Sequence, residues 1–347
     1  MSILVFNSGS TSLKYKLFSA DASRVLEKGN FQNLKSKDHS QLLTNIIRNQ
    51  KGSSNVKIVG HRIVHGGGVF NTPTVMGSSQ IKKISQFNDL APLHNPIQLK
   101  VLQLAQKLLP NVPHLGVFDT SFFSSLPDKS KIYPLPLEYY LKYGLQRFGF
   151  HGISHKYMAE KAALRINKKM EDINLITCHL GGGCSIVAIK KGRAIDTSMG
   201  FTPLEGLAMM SRSGDIDPGV LIYLNQSLGI SVKEIYRILN FDSGIKGISG
   251  QDNFKDLLQA VKKKNKKAQL AFDIFIYRLQ KYIGSYFAVL GKIDALVFSG
   301  AIGSGDPYTI KKIKKDLFIL SDVKIFKVEA DEELAIAQEC LNFRNFF

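Results

Sequence analysis

Hydrophobic positions along this chain follow two alternating patterns. Short uninterrupted apolar runs, such as Ile3 to Phe6 and Ala295 to Phe298, have the length of strands buried on both faces. Longer stretches repeat apolar residues every three or four positions and predict helices. These fall at His39 to Asn49, Ile97 to Leu109, His155 to Asn167, Gly219 to Leu228, Ser231 to Leu239, Phe254 to Lys267 and Gln269 to Leu290. In the last of them Phe272, Phe275, Ile276, Leu279, Ile283 and Phe287 form the expected buried stripe. A strand over Val323 to Val328 and a helix opened by Asp331, Glu332 and Glu333 end the chain, the carboxylates suiting a helix N-terminus. Strands interleaved with helices predict an α/β fold.

One pattern occurs twice. Ile3 to Phe6 runs into the hydroxyl-rich turn Asn7-Ser8-Gly9-Ser10-Thr11-Ser12, and a second strand with Lys14 follows. Ile176 to Leu180 runs into Gly181-Gly182-Gly183, and a strand through Ser185 resumes toward Asp196. A third glycine turn, Gly300 to Gly305, ends the strand that follows Asp294. Glycine lets backbone N–H groups approach an anion without interference from Cβ, although a lone glycine turn is equally an ordinary hairpin. Repetition half a chain apart predicts two similar domains, each presenting its turn to a shared cleft. The irregular segment marked by Pro127, Pro134 and Pro136 puts the boundary near residue 150.

Composition narrows the class. A chain of 347 residues with 44% hydrophobic and 21% charged residues is that of a soluble globular protein of two domains. No apolar run approaches the roughly 20 residues that span a bilayer, and MSILVFNSGS is no secretory signal. Cys178, Cys184 and Cys340 form neither a zinc pattern nor a disulfide framework, which fits a reducing cytoplasm. The net charge of +18 raises nucleic-acid binding as a rival. The lysine runs 262–267 and 311–315 lie on helical patterns without interleaved aromatics, so the charge is read as solubility and attraction of anionic substrates.

Candidate chemistry sits at strand ends. In VKIVGHRIVHGGG, alternation puts Arg62 and Val64 on one face and His61, Ile63 and His65 on the other. A guanidinium beside short methyls suits a small acid, whereas a His61–His65 metal pair would need a helix. Asp119 ends the strand His114 to Phe118, a frequent catalytic position in α/β sheets and equally a turn cap. His179, Ser185 and Arg212 flank the central glycines, offering donors and a fixed positive charge for phosphoryl transfer. No partner for Arg62 or Arg212 stands nearby in sequence, which favours function over structure for both.

NSGSTSLK, GHRIVHGGG, APLHNP, FDTSF, FGFHGISH, HLGGGCS and DTSMGFTPLEGLAMMSRSGDIDPG together resemble the acetate kinase family, in its order and over nearly the whole chain. The resemblance implies two duplicated ribonuclease-H-like domains of the actin-like ATPase kind around a central cleft. These would be 1–149 on the acyl side, completed by a C-terminal helix over 332–347, and 150–331 on the nucleotide side. It implies reversible Mg²⁺- or Mn²⁺-dependent in-line transfer of the ATP γ-phosphoryl to acetate, giving acetyl phosphate and ADP, in a cytoplasmic homodimer with no membrane or nucleic-acid role. Arg62 and Arg212 then resemble the arginines that hold acetate and the transferring phosphoryl, His151 the histidine that stabilises it, and Asp119 the essential aspartate. Val64, Leu93, Phe150 and Pro203 match the methyl pocket, and Asn7 and Glu332, with Glu333 adjacent, the residues associated with the metal. Ser10, Ser12 and Lys14 match one phosphate loop, and His179, Gly181, Gly182, Gly183 and Ser185 the second. Asn253, Phe254 and Lys255 stand at the adenosine segment, with Gly300, Ala301, Ile302 and Gly303 at the third glycine turn.

The departures lie on the nucleotide side. The family usually has Asn at Gly182, a small hydroxyl at Cys184, Asp-Phe-Arg where Asn253-Phe254-Lys255 stands, and Glu-Asn at Ser304-Gly305. Lysine does not form the planar fork or stack of arginine. A propionate or other short-acid kinase, the same chemistry with another phosphoryl donor, and a non-catalytic nucleotide- or nucleic-acid-binding protein are the alternatives.

Overall fold

A computed structural model describes residues 2–9, 12–34, 36–49 and 55–344. The chain forms two compact units, one of Met1–Ser124, Phe150–Tyr157 and Asp331–Phe347, the other of Ser125–Gly149 and Met158–Ala330. Residues 125–149, first half by chain order, thus pack with the second unit. Arg147 Nη1 donates to Thr197 O at 3.0 Å and Ser130 Oγ to Ile195 O at 2.7 Å, which ties that segment to the second sheet. Phe150–Tyr157 belongs to the first unit, where Gly152 N–H donates to Asp119 O at 2.9 Å.

The first unit is built on β1 (Ser2–Ser8), β2 (Leu13–Ser19), β3 (Val25–Phe31), β4 (Val56–Ile63), β5 (Thr74–Val75) and β6 (His114–Phe118), in spatial order β3-β2-β1-β4-β6-β5. β1 to β3 form an antiparallel meander, and β4 and β6 add in parallel beside β1. The second unit repeats this plan. β7 (Leu175–Leu180), β8 (Cys184–Lys190) and β9 (Arg193–Thr197) form the meander, and β10 (Ala295–Ser299) and β11 (Lys324–Lys327) add in parallel beside β7. The turns expected to be equivalent are therefore the same element of the fold, the link from first to second strand. β3 was not expected: only alternate residues of VLEKGNF face the sheet, and as an edge strand it stays largely exposed.

Burial follows the apolar runs. Every residue of β1, β7 and β10 is buried. Each large apolar side chain there contributes about 1.5–3 kcal/mol over exposure. The terminal helix Glu332–Arg344 packs on β1 and β4, and Gly60 makes room for it, since a Cβ there would come within 2.6 Å of Ile336 Cγ2 and 2.8 Å of Cys340 Sγ. The pattern expected over Phe254 to Lys267 is divided. Phe254–Lys262 is one helix, Lys264 takes a left-handed φ of 61°, and the Asn265 side chain caps Lys266–Leu290 by accepting from Ala268 N–H. In that long helix Tyr286 is buried and Phe287 only half-buried, shifting the end of the expected stripe by one position. No helix among the described residues is long and apolar enough to cross a membrane.

His61 and His114 form a buried pair between β4 and β6. His61 Nε2 lies 3.0 Å from His114 Nδ1, and His114 Nε2 lies 3.2 Å from the Leu109 carbonyl. A carbonyl only accepts, so His114 carries its proton on Nε2, and His61 Nε2–H donates to His114 Nδ1. Both rings are neutral: burial pushes both pKa values down, and for His61 the neighbouring His114 adds to it. The unfolded chain takes up these protons as pH falls through about 6.5 while the folded chain resists, so stability is lost below that pH. Urea denaturation is expected to show a fall of up to about 1.4 kcal/mol per pH unit for each histidine between pH 6.5 and 5. In His61→Gln that slope drops by about one proton's worth; an unchanged slope would mean the pair titrates normally.

Candidate active site

β4 and β6 end side by side, with Arg62 paired to Val117 and Ile63 to Phe118. This register delivers Arg62 and Asp119 to the same sheet edge. Arg62 Nε donates to Asp119 Oδ1 at 3.1 Å and Nη2 to Oδ2 at 2.7 Å, a two-point ion pair. Arg62 Nη1 donates to Glu332 Oε2 at 2.8 Å and to Asn7 Oδ1 at 3.2 Å. Asn7 Nδ2 in turn donates to Glu332 Oε2 at 2.8 Å and Glu333 Oε1 at 2.6 Å, while Lys16 Nζ reaches Asp331 at 2.7 Å and Glu333 at 3.5 Å. Asn7, Arg62, Asp119 and Glu332 are thereby one network. Arg62 has its partners after all, 57 and 270 residues away in sequence.

The electrostatics follow from burial. Asp119 is 1% exposed, and burial raises its pKa against the pull of Arg62 and of a hydrogen bond from the His151 backbone. Arg62 is held firmly as a cation by Asp119, Glu332 and Glu333 despite burial. Asn7, Glu332 and Asp119 present hard oxygen donors. Among the described residues no group of three His, Cys, Asp or Glu forms a metal cage. Mg²⁺ does not require one, since it is usually bound by one or two carboxylates plus substrate phosphates, and this donor set fits that habit.

Around the network, Val64 N–H donates to Gln98 Oε1 at 2.9 Å, and Gln98 Nε2 donates to Ser8 O at 2.9 Å, joining the ends of β1 and β4. Asn95 brackets the His65 backbone from both sides, which docks the loop carrying the half-buried Leu93. Phe150 is 1% exposed and stands edge-on to His65, with ring centroids 5.5 Å apart. His151 adopts a φ of 58°, an uncommon conformation for a non-glycine residue and one that concentrates at functional sites. Gly152 is obligatory, because a Cβ there would lie 2.2 Å from Asp119 O. In the first turn Gly9 N–H donates to Ser12 O at 2.9 Å, Lys14 is exposed on β2, and Ser10 lies outside the described residues.

In the second unit Gly181 N–H closes the turn on Gly183 O at 3.0 Å. The amides of Gly182 and Gly183 form no hydrogen bond among the described residues. Nothing lies within 4 Å of a Cβ built on Gly182, so the space where the family usually has Asn is open. Cys184 replaces a hydroxyl with a thiol whose pKa burial pushes up to about 12, and the thiol donates to Gly181 O at 3.3 Å. His179 and Ser185 face each other across β7 and β8, and Ser299 pairs with His179 from the other side. The segment expected as a third glycine turn is a short helix, Gly300–Gly303, and Gly300, with φ 82°, would bring a Cβ within 2.3 Å of Leu180 O, so this helix start abuts the second turn. Ile302 and Gly303 are buried beneath it and Ala301 is exposed.

The glycine turn also meets Arg212. Met210 N–H donates to Gly182 O at 3.3 Å, and Met209 N–H to Arg212 O at 3.1 Å. Arg212 Nη1 donates to Pro203 O at 3.2 Å. Burial lowers the pKa of this guanidinium. Among the described residues no carboxylate pairs with it, in contrast to Arg62. In the segment expected to meet the adenosine, Asn253 caps a helix, Phe254 packs against Phe272 and Phe275, and Lys255 is exposed. Sequence reasoning passed over Lys16, Gln98, Asn95 and Ser299. Lys16 is the lysine of β2 that reaches the acidic cluster, two residues beyond the expected Lys14. The buried Ser299 Oγ has no hydrogen-bond partner among the described residues, at the mouth of the glycine turns.

Comparison with known proteins decides the family. The model of the acetokinase family matches residues 23–342. The chain belongs to the acetokinase family. It is 39% identical to the acetate kinase of Halothermothrix orenii, over 98% of both chains. Among solved structures, Porphyromonas gingivalis acetate kinase superposes with a TM-score of 0.90 at 33% identity, covering 99% of each chain. A Francisella tularensis propionate kinase gives 0.91 at 35%, covering 97% of this chain and 98% of that one. The two-sheet α/β plan is thus that of the acetokinase family, with a three-stranded meander repeated in each sheet.

Proposed function

We propose that this acetokinase-family chain transfers the γ-phosphoryl of ATP reversibly to acetate, giving acetyl phosphate and ADP. The observation that carries this reading is Arg212: a half-buried guanidinium that has no carboxylate partner among the described residues, beside a turn whose Gly182 and Gly183 amides form no hydrogen bond among those residues. Such a set of donors stabilises the equatorial oxygens of a transferring phosphoryl group. Ser185 and His179 flank the turn, and Gly300 to Gly303 adjoin it as nucleotide phosphate contacts. On the acyl side, Arg62 has a remaining Nη2 proton for the acetate carboxylate, and Asp119 keeps its planar fork in one orientation. Val64, Leu93 and Phe150 take the methyl group, and the His151 imidazole supports the phosphoryl in flight. Asn7 and Glu332 would hold Mg²⁺ or Mn²⁺, which supplies neutralisation of phosphate charge. Attack by the acetate oxygen forms the O–P bond as the β–γ bridging bond breaks, with no proton transfer required.

Trapping acetyl phosphate as its hydroxamate is expected to show metal-dependent turnover with acetate and ATP. The 35% identical propionate kinase favours a second reading, in which the pocket at Val64 admits one more methylene. A kcat/KM for propionate above that for acetate would select it. Because Gly182, Lys255 and Ser304-Gly305 depart from the family, the same assay should run a panel of nucleoside triphosphates and pyrophosphate. Folded protein silent with every donor would leave only a non-catalytic binding role.

A homodimer accompanies this reading. The helix Pro218–Gln226 has no buried residue, yet presents Val220, Ile222 and Tyr223, and the helix Leu137–Tyr143 likewise exposes Leu137, Leu141 and Tyr143. Apolar faces of this kind are covered by a second copy. Sedimentation is expected to give a dimer for the wild type and a monomer for Ile222→Asp; a wild-type monomer would refute it. The three cysteines are buried free thiols, consistent with a reducing cytoplasm as the compartment.

A further inference from the structure

We infer that Glu205 is a positioning residue for phosphoryl transfer: anchored by Tyr133 and Arg147, it fixes the loop whose Pro203 carbonyl orients the Arg212 guanidinium. The inference rests on the proposed function and adds to it a residue that touches neither reactant. Glu205 Oε1 pairs with Arg147 Nη2 at 2.6 Å, and Oε2 accepts from Tyr133 Oη. Tyr133 Oη itself accepts from Phe201 N–H at 2.8 Å. Arg147 lies over the Tyr133 ring at 5.3 Å and donates to Ser130 O at 3.1 Å and Thr197 O at 3.0 Å, so both anchors are held.

The loop is built around this anchorage. A Cβ on Gly200 would lie 1.6 Å from Glu205 Oε2 and 2.0 Å from Tyr133 Oη, so any side chain there would push this hydrogen bond apart. Just beyond Glu205, Gly206 N–H donates to Asp215 Oδ1 at 2.7 Å, Asp215 N–H returns to Gly206 O at 2.9 Å, and Tyr282 Oη holds Asp215 Oδ2 at 2.6 Å. Pro203, two residues before Glu205, is thus confined between two fixed points, and its carbonyl is the oxygen that receives Arg212 Nη1. Both Glu205 oxygens are taken, and it makes no ion pair with Arg212. Its influence on that guanidinium therefore runs through the peptide of Pro203. A misplacement of about 1 Å at such a site costs about a hundredfold in rate.

A double-mutant cycle tests this. Glu205→Ala is expected to lower kcat about a hundredfold in the wild-type background, with the acetate KM within about threefold. In an Arg212→Ala background the same change lowers kcat less than about twofold further, because the group it positions is gone. Glu205→Gln keeps one acceptor oxygen and turns the other anchor point into a donor, so it recovers only part of the loss. Tyr133→Phe removes one hydroxyl and is expected to show the same dependence on Arg212 with a loss of about tenfold; it carries the cycle if Glu205→Ala does not fold. Equal losses in both backgrounds, or full activity of folded Glu205→Ala, overturn the inference. A wild type silent with every donor defeats the parent reading, whereas an active wild type with additive losses defeats this inference alone.

Discussion

Arg212→Ala is expected to lower kcat for acetyl phosphate formation by about a thousandfold, within the range for loss of a positive group at a transferring phosphoryl. Stability should change by less than about 1 kcal/mol, because among the described residues Arg212 gives up only the Pro203 carbonyl and the weak acceptor Met209 Sδ at 3.8 Å, at a half-buried position. No carboxylate among the described residues is left uncompensated, since none of them pairs with Arg212. The expected signature is therefore a folded, inactive enzyme. Hydroxamate assay alongside urea denaturation checks it, with His94→Ala as the comparison expected to retain most activity. Equal and modest losses at both positions would refute the role given to Arg212.

The contrast with Arg62 is physical. Both arginines are largely buried, and both lack a local partner in sequence. One is neutralised by Asp119 and Glu332 at 2.7 and 2.8 Å, and the other pairs with no carboxylate among the described residues. A half-buried, unneutralised guanidinium keeps free donors that an anion can complete. A group of that kind is oriented toward a visiting phosphate, whereas Arg62 is first a structural cation that fixes the geometry of its carboxylates.

Legibility in the sequence followed the range of the interactions. The two strand–turn–strand units were readable because every residue of the pattern is local, and the structure makes them the same element of a duplicated sheet. The division of the helix at Lys263 to Asn265 was not, because the Asn265 cap sits inside a lysine run whose charge masks it. β3 escaped because an edge strand needs apolar residues on one face only. Membership of residues 125–149 in the second unit depends on Arg147 and Ser130 reaching β9, contacts with no trace in local pattern. The same holds for the partners of Arg62. Asp119 was singled out from its place at a strand end, but its pairing with Arg62 is a matter of β4–β6 register.

The largest stability effect is expected at that pair. Arg62→Ala removes the cation from a buried site, leaving Asp119 without its ion-pair partner and Glu332 joined to Glu333 only through Asn7. Removing one partner of a buried ion pair costs about 3–5 kcal/mol, and activity falls with it. The pH dependence identifies the cause. Burial already raises the Asp119 pKa from 3.8, and Arg62 is the main influence pulling it back. Without Arg62 the folded-state pKa rises further above the unfolded value, so the folded variant binds the extra proton and gains stability as pH falls. The difference in stability between wild type and Arg62→Ala should therefore be largest at pH 8 and shrink by more than about 1 kcal/mol at pH 5. The histidine pair cancels in that difference because both proteins contain it. Asp119→Asn added to Arg62→Ala should remove most of the pH dependence and recover part of the loss. A difference that is the same at pH 8 and pH 5 would mean that lost packing, rather than stranded carboxylates, accounts for the destabilisation.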